Sequence, residues 1–235
     1  MPLILRIDVD KPYGSSGLTR RIISKLSENA WFPSLEILGY DRTSRRFARF
    51  LHQESIPAIF FFRLCTLPSQ TGIREYLKMG HVIGLHAENT RSEATFLKEV
   101  AHFQHRSGLN RVTCFSKHGS GVHKLGRRHY APYEENKYRE WDQKHGIRFP
   151  FGNGMISSEN YTHEEFFKEV FWMHPSYRDT KTFTVEWAME QARQKTLAVL
   201  VHPENYYTVP QVKQDFDRLI AESKQQNIPW MVQLP

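Results

Sequence analysis

Cysteine is scarce in this chain: Cys65 and Cys114 are the only two among 235 residues. They lie in the apolar runs FFFRLCTL and RVTCFSK with no CxxC spacing. The sequence therefore offers neither a disulfide framework nor a thiolate zinc site. Both thiols read as small buried side chains in core strands. Long apolar runs are also missing, and no stretch approaches the ~18 residues of a membrane span. The apolar run in the amino-terminal MPLILRIDVDKP is too short and ends in charge too soon to read as a signal peptide. These absences lead to the expectation of a protein that is not exported and works in the cytoplasm. Internal repeats, low-complexity tracts and heptad arrays are lacking as well, which argues against solenoids and coiled coils.

The chain is 40% hydrophobic and 13% aromatic, enough to build one domain over 1–235 without a stabilising disulfide or structural metal. Its formal net charge is +7. The basic residues, among them Arg45, Arg46, Lys78, Lys98, Arg127, Arg128 and Lys213, are scattered and no nucleic-acid motif organises them. A mildly basic surface that draws acidic substrates is preferred to nucleic-acid binding.

Strand and helix signals alternate. LILRIDVD (3–10) has branched apolar content, and DRTSRRFARFLHQES (41–55) has helical apolar spacing at Phe47, Phe50 and Leu51. PAIFFFRL (57–64) and HVIGLH (81–86) read as buried strands flanking a short helix over 71–79. A helix over 90–108 starts on Thr or Ser and stops at glycine; a strand over 111–118 and a helix over 132–146 follow. Pro150 restricts the strand expected over 147–151 to an edge or an end. A helix over 162–170 is expected from the Thr162 and Glu165 capping pair, with a strand over 171–175 after it. The pattern closes with a helix over 184–194, a strand over 197–203, a helix over 209–227 and a strand over 229–234. Such alternation with apolar strands predicts parallel strands and crossover helices, and the count, length and polar positions favour a barrel over an open sheet.

Polar residues fall at the carboxyl ends of these strands: Asp8 and Asp10, Arg63, His86 followed by Glu88, His118, His174 and His202. That end of a parallel barrel carries the active site. Twelve histidines raise the background, so the set carries the argument and no single histidine does. Asp8 and Asp10, two apart on a strand, share a face, and two facing carboxylates invite a cation. A helix cap or an ion pair of Asp10 with Lys11 or an arginine is the plainer alternative. Imidazole and carboxylate suit zinc and other first-row divalent ions. With such an ion bound, one aspartate would be a ligand and the other a base, and a histidine would protonate the leaving amine. HGSGVHKLG (118–126) places Gly119 after a strand, where backbone N–H groups can meet an anion. Arg63 could clamp a carboxylate or phosphate, and Tyr206 is among the aromatics that could stack on a sugar.

IDVDKP (7–12), GHVIGLHAENT (80–90) and LAVLVHPENY (197–206) resemble, in order, the first, second and last motifs of the polysaccharide deacetylase superfamily, the NodB-homology or carbohydrate esterase family 4 group. Within it the pattern is most similar to the WbmS-like proteins of O-antigen clusters. The resemblance implies a distorted (β/α)7 barrel and a divalent metal, zinc first and nickel, cobalt or manganese as alternatives. It also implies hydrolysis of an N-acetyl or similar group on a sugar, with a nucleotide- or lipid-linked sugar as the expected partner. By position it makes Asp8 the general base, Asp10 a metal ligand, His86 the first metal histidine and His202 the general acid. Thr90 stands where the second metal histidine is expected. Glu88, His118 and His174 are the candidate replacements, and His118 is favoured because it ends the strand beside that of His86. Two alternatives accompany this reading: a carbohydrate-binding barrel without catalysis, and an amidohydrolase acting on a C–N bond outside sugars.

Overall fold

The computed structural model describes residues 1–10, 19, 22, 26, 40–119, 125–155 and 167–232. Strand β1 (Leu3–Val9) is followed by helix α1 (Tyr40–Gln53), β2 (Ala58–Phe62), α2 (Gln70–Lys78), β3 (Val82–Ala87) and α3 (Glu93–Ser107). Next come β4 (Phe115–Lys117), α4 (Glu135–His145), β5 (Phe151–Met155) and β6 (Phe167–Trp172). The chain ends with α5 (Val185–Gln194), β7 (Leu197–Val201), α6 (Pro203–Thr208), α7 (Pro210–Gln225) and β8 (Trp230–Met231).

All strand pairs are parallel, in the order β4–β3–β2–β1–β7–β6–β5. The ends of this row meet at one parallel bridge, Cys114 to Arg148, where Phe115 N–H donates to Arg148 O (2.9 Å) and Arg148 N–H to Thr113 O (2.9 Å). The result is the distorted (β/α)7 barrel. Short β8 pairs with Leu3 and Ile4, below the point where β2 begins its pairing with β1 at Leu5.

Period-two alternation divides each strand between two cores. Ile4, Ile59, Phe61, Cys114, Phe151, Val170, Ala198 and Leu200 form a small cluster inside the barrel. Their neighbours of opposite parity, such as Leu3, Leu5, Ile7, Phe60, Phe62, Leu85 and Val199, pack outward against the helices. Each fully buried apolar side chain contributes about 1.5–3 kcal/mol. Gly84 belongs to the inner face, and a Cβ there would lie 2.5 Å from the Phe61 ring and 2.9 Å from Cys114 Sγ. Glycine thus makes room for the aromatic that fills the barrel floor. Helix ends follow local chemistry: Ser92 and Thr95 form a capping box on α3, which ends at Gly108 in the left-handed region (φ 70°).

Three expectations are corrected. The edge strand expected over 147–151 starts later, at Phe151, so Pro150 precedes it. The helix expected over 162–170 is replaced by β6 from Phe167 onward; its capping pair, Thr162 and Glu165, lies outside the described residues. Val170 packs into the inner core and Phe171 into the outer one. Burial of Val170 and Phe171 on opposite faces removes the alternation that would distinguish strand from helix there. The strand expected over 171–175 ends at Trp172, and a 3₁₀ turn begins at Pro175 with His174 as its cap.

Candidate functional site

Strand parity gathers the polar side chains. The inner positions of β1 run Ile4, Arg6 and Asp8, and Asp10 follows just beyond the strand. The same alternation places Arg63 after β2, His86 on β3 and Glu88 beyond it, Ser116 on β4 with His118 after it, and His202 at the end of β7. Pro203 then turns the chain into α6, with His202 as the N-cap.

Asp10, His86 and His118 each offer one atom, all within 4.8 Å of one another. Asp10 Oδ1 lies 3.1 Å from His118 Nδ1 and 3.5 Å from His86 Nε2. Neither Asp10 Oδ1 nor either ring nitrogen of His118 makes a hydrogen bond, although all three are buried. His86 Nδ1 sits 2.7 Å from Ser116 Oγ, a contact that orients the ring and leaves Nε2 facing the carboxylates. His202 Nε2 approaches Asp10 Oδ2 at 3.5 Å from the other side. One carboxylate, two imidazoles and orphaned buried donor atoms fit a divalent cation.

The electrostatics separate the histidines. Burial lowers His86 to about 3 against the opposing pull of Asp8 and Asp10. Burial, reinforced by the Arg63 charge, lowers His118 to about 4. Both shifts favour the neutral ring, the form that can bind a cation. Burial also disfavours charge on His202, but Asp10, Asp8 and Glu204 outweigh it and hold its pKa above the ordinary imidazole value. Asp10 is stabilised as the anion: burial opposes ionisation, and His118 and His86 overcome it. Glu204, two residues after His202, is pushed up to about 7 by burial, and its buried Oε1 has no hydrogen-bond partner.

Arg6 was not among the residues the sequence pointed to. It is buried inside the barrel and grips Asp8 with two prongs, Nε to Oδ1 at 2.9 Å and Nη2 to Oδ2 at 2.7 Å. Its third contact is Gly152 O at 3.0 Å, and Phe61 and Phe151 each lie 5.7 Å from its guanidinium. Burial raises the Asp8 pKa, but Arg6 and His86 more than reverse this, so the carboxyl stays below its ordinary value. The available signal was a lone charge two residues before Asp8 in an apolar strand.

Other expectations are placed differently. Arg63 is fully buried and ion-paired with Glu88. Its guanidinium sits in the wall and faces Glu88. Glu88 is committed to this pair and is not in the ligand group. Its N–H and that of Asn89 donate to Glu99, whose carboxyl burial and the Glu88 charge push up to about 7. Thr90 Oγ1 lies 3.1 Å from the Tyr138 hydroxyl, so its side chain is taken up by α4. His174 accepts from Ser176 N–H and also stands outside the ligand group.

Gly119 has φ 60°, and a Cβ there would meet Leu125 Cδ1 at 2.6 Å. Its carbonyl accepts from Lys117 Nζ, as does that of His118. The remainder of its glycine-rich stretch, 120–124, lies outside the described residues. Tyr206 is a correction. Its ring packs on Phe47 and Phe50 in the helical layer and its hydroxyl donates to Asp217 (2.8 Å), so it is not brought to the ligand group.

No family model matches the chain, and no curated protein matches it. Solved structures do. A Puue allantoinase is 13% identical, with 97% of this chain and 86% of that one covered and a TM-score of 0.54. The catalytic domain of a peptidoglycan N-acetylglucosamine deacetylase from Eubacterium rectale is 14% identical, with coverages of 99% and 90% and a TM-score of 0.49. A CE4 family pseudoenzyme from Bacillus anthracis is 11% identical at a TM-score of 0.43, and the 97% of this chain that aligns spans only 62% of that protein's length. A mutant of it with restored activity is spanned over 64% of its length, also under two thirds. The allantoinase likeness shows the fold. Among the described residues no helix is long and apolar enough to cross a membrane.

Proposed function

We propose that this chain is a metal-dependent hydrolase that removes an N-acyl group, acetyl first, from a sugar. The observation that carries the reading is the meeting of Asp10, His86 and His118 within 4.8 Å, flanked by one carboxylate held by arginine and one histidine biased toward its charged form. Asp10, His86 and His118 would hold the divalent ion, zinc by the nature of the donors. Such an ion supplies a Lewis acid that polarises an acyl oxygen and acidifies water.

The rest of the work falls to side chains. Asp8, whose Oδ2 lies 3.7 Å from His86 Nε2, takes a proton from the attacking water while Arg6 fixes the carboxylate plane. His202 enters protonated and delivers its proton to the nitrogen as the C–N bond breaks. The raised pKa of His202 and the lowered pKa of Asp8 are the split that an acid–base pair requires. The three-residue donor set weighs against a purely carbohydrate-binding barrel. The net charge of +7 favours an anionic substrate, in keeping with a nucleotide- or lipid-linked sugar. A cytoplasmic step of surface-polysaccharide synthesis of the O-antigen kind is part of the proposal.

The neighbour named as an allantoinase favours one second reading, hydrolysis of a C–N bond in a small compound outside sugars. Acetate release from N-acetylhexosamine nucleotides by zinc-loaded protein tests the two. Release that disappears in His202→Gln, with zinc content unchanged, supports the sugar reading. Zinc-loaded protein that is inert on acetylated sugars but hydrolyses allantoin overturns it in favour of the second.

A further inference from the structure

A second concavity, of about 520 Å³, lies between α1, α6 and α7, apart from the ligand group. Phe47, Ala48 and Leu51 of α1 face the core, and Arg46 and Arg49 are exposed. Aromatic rings form the floor. Phe50 stacks on Tyr206 with centroids 5.3 Å apart and planes at 25°, and Tyr207 meets Tyr206 edge-on at 5.0 Å.

Cations form the rim. The Arg46 guanidinium lies 4.4 Å from the Tyr207 ring centroid, and the Lys213 ammonium 5.1 Å from that of Tyr206. Arg49 completes the rim and is ion-paired with Glu75 at 3.6 Å. Among the described residues no acidic side chain lines the cleft. Lys213 shares Asp217 with the Tyr206 hydroxyl, whereas Arg46 is held by a ring face, so its charge stays available to an anion.

The volume is that of a small-molecule site and not of a polymer groove. Tyr206 is buried beneath Phe47 and Phe50, so the partly exposed rings of Phe50 and Tyr207 are the ones to meet a planar group, while Arg46, with Arg49 and Lys213 beside it, receives phosphate or carboxylate. We propose that this cleft binds a small anion carrying a planar ring, with nucleoside phosphates as the class that combines both features. The site is separate from the barrel mouth and does not depend on the hydrolase reading.

Calorimetric titration of the full chain with UMP and AMP tests it, with uridine and inorganic phosphate as controls. Either nucleotide is expected to bind at least about tenfold more tightly than uridine or phosphate. Arg46→Gln combined with Lys213→Gln, both on exposed side chains, is expected to weaken that binding by about tenfold or more and to leave zinc content and the circular dichroism spectrum unchanged. His86→Ala is expected to leave nucleotide affinity intact. The assignment is overturned if neither nucleotide binds, or if the double substitution changes nothing. It is equally overturned if His86→Ala abolishes binding, which would put the nucleotide at the barrel mouth, or if phosphate alone binds as tightly as the nucleotides.

Discussion

Replacing Arg6 by methionine isolates the interaction that holds Asp8. The two side chains are 1% and 5% exposed, so water cannot take over from the lost guanidinium. Removing one partner of a buried ion pair costs about 3–5 kcal/mol, because the other charge is left uncompensated. The Gly152 carbonyl loses its 3.0 Å donor at the same time, which adds about 1 kcal/mol. Arg6→Met should therefore destabilise by roughly 4–6 kcal/mol. Asp8→Asn alone should be similarly harmful, since it strands the arginine. The double replacement should cost less than the sum of the singles, by a coupling of at least about 2–3 kcal/mol, because no lone charge remains. Urea unfolding followed by tryptophan fluorescence, on chelator-treated protein so that metal affinity does not enter, gives all four corners of the cycle. A cost below about 1 kcal/mol for Arg6→Met, or simple additivity, would refute the reasoning.

Two further outcomes follow from individual contacts. His81 accepts from Ala58 N–H with Nδ1 (3.2 Å), and its Nε2 lies 3.0 Å from Ala48 O, an arrangement that needs the neutral ring; burial lowers its pKa despite the Ala48 contact. The unfolded chain thus takes up this proton first, so the contribution is fully present above about pH 6.5 and falls away below it, by up to about 1.4 kcal/mol per pH unit. His81→Gln should remove that part of the pH slope in denaturation midpoints measured between about pH 7 and 5. Thr90→Val, which removes the hydroxyl 3.1 Å from Tyr138, should cost about 1 kcal/mol in the same unfolding assay while leaving zinc affinity unchanged.

The ligand group was legible because its residues obey one rule, the alternation that sends every second strand residue inward. Asp10, His86 and His118 stand at inward positions at or just beyond the ends of β1, β3 and β4, with β2 between the first two, and the run of polar strand ends marked them. His118 comes beside His86 as the succession of strands suggested, since its strand pairs with that of His86 through Ser116. Arg6 escaped because parity was applied to strand ends and not to strand interiors, where a charge was not sought. The pairing of Arg63 was hidden because sequence does not reveal that Glu88, 25 positions away, meets it in the wall. Tyr206, named only as an aromatic that could stack on a sugar, follows His202 by four residues, and one helical turn is enough to carry a side chain from the mouth to the outer layer. The strand β6 was read partly as helix because burial on both faces erases the period-two signal.

The central claim is that Asp10, His86 and His118 hold one divalent ion together. Zinc titration by calorimetry of the wild type and of Asp10→Ala, His86→Ala and His118→Ala, with His174→Ala as the control, tests it most directly. The account predicts about one equivalent bound by the wild type and the control, and a collapse of affinity in each of the other three. Zinc that binds all three variants as tightly as the wild type, or a wild type that binds none, would contradict it.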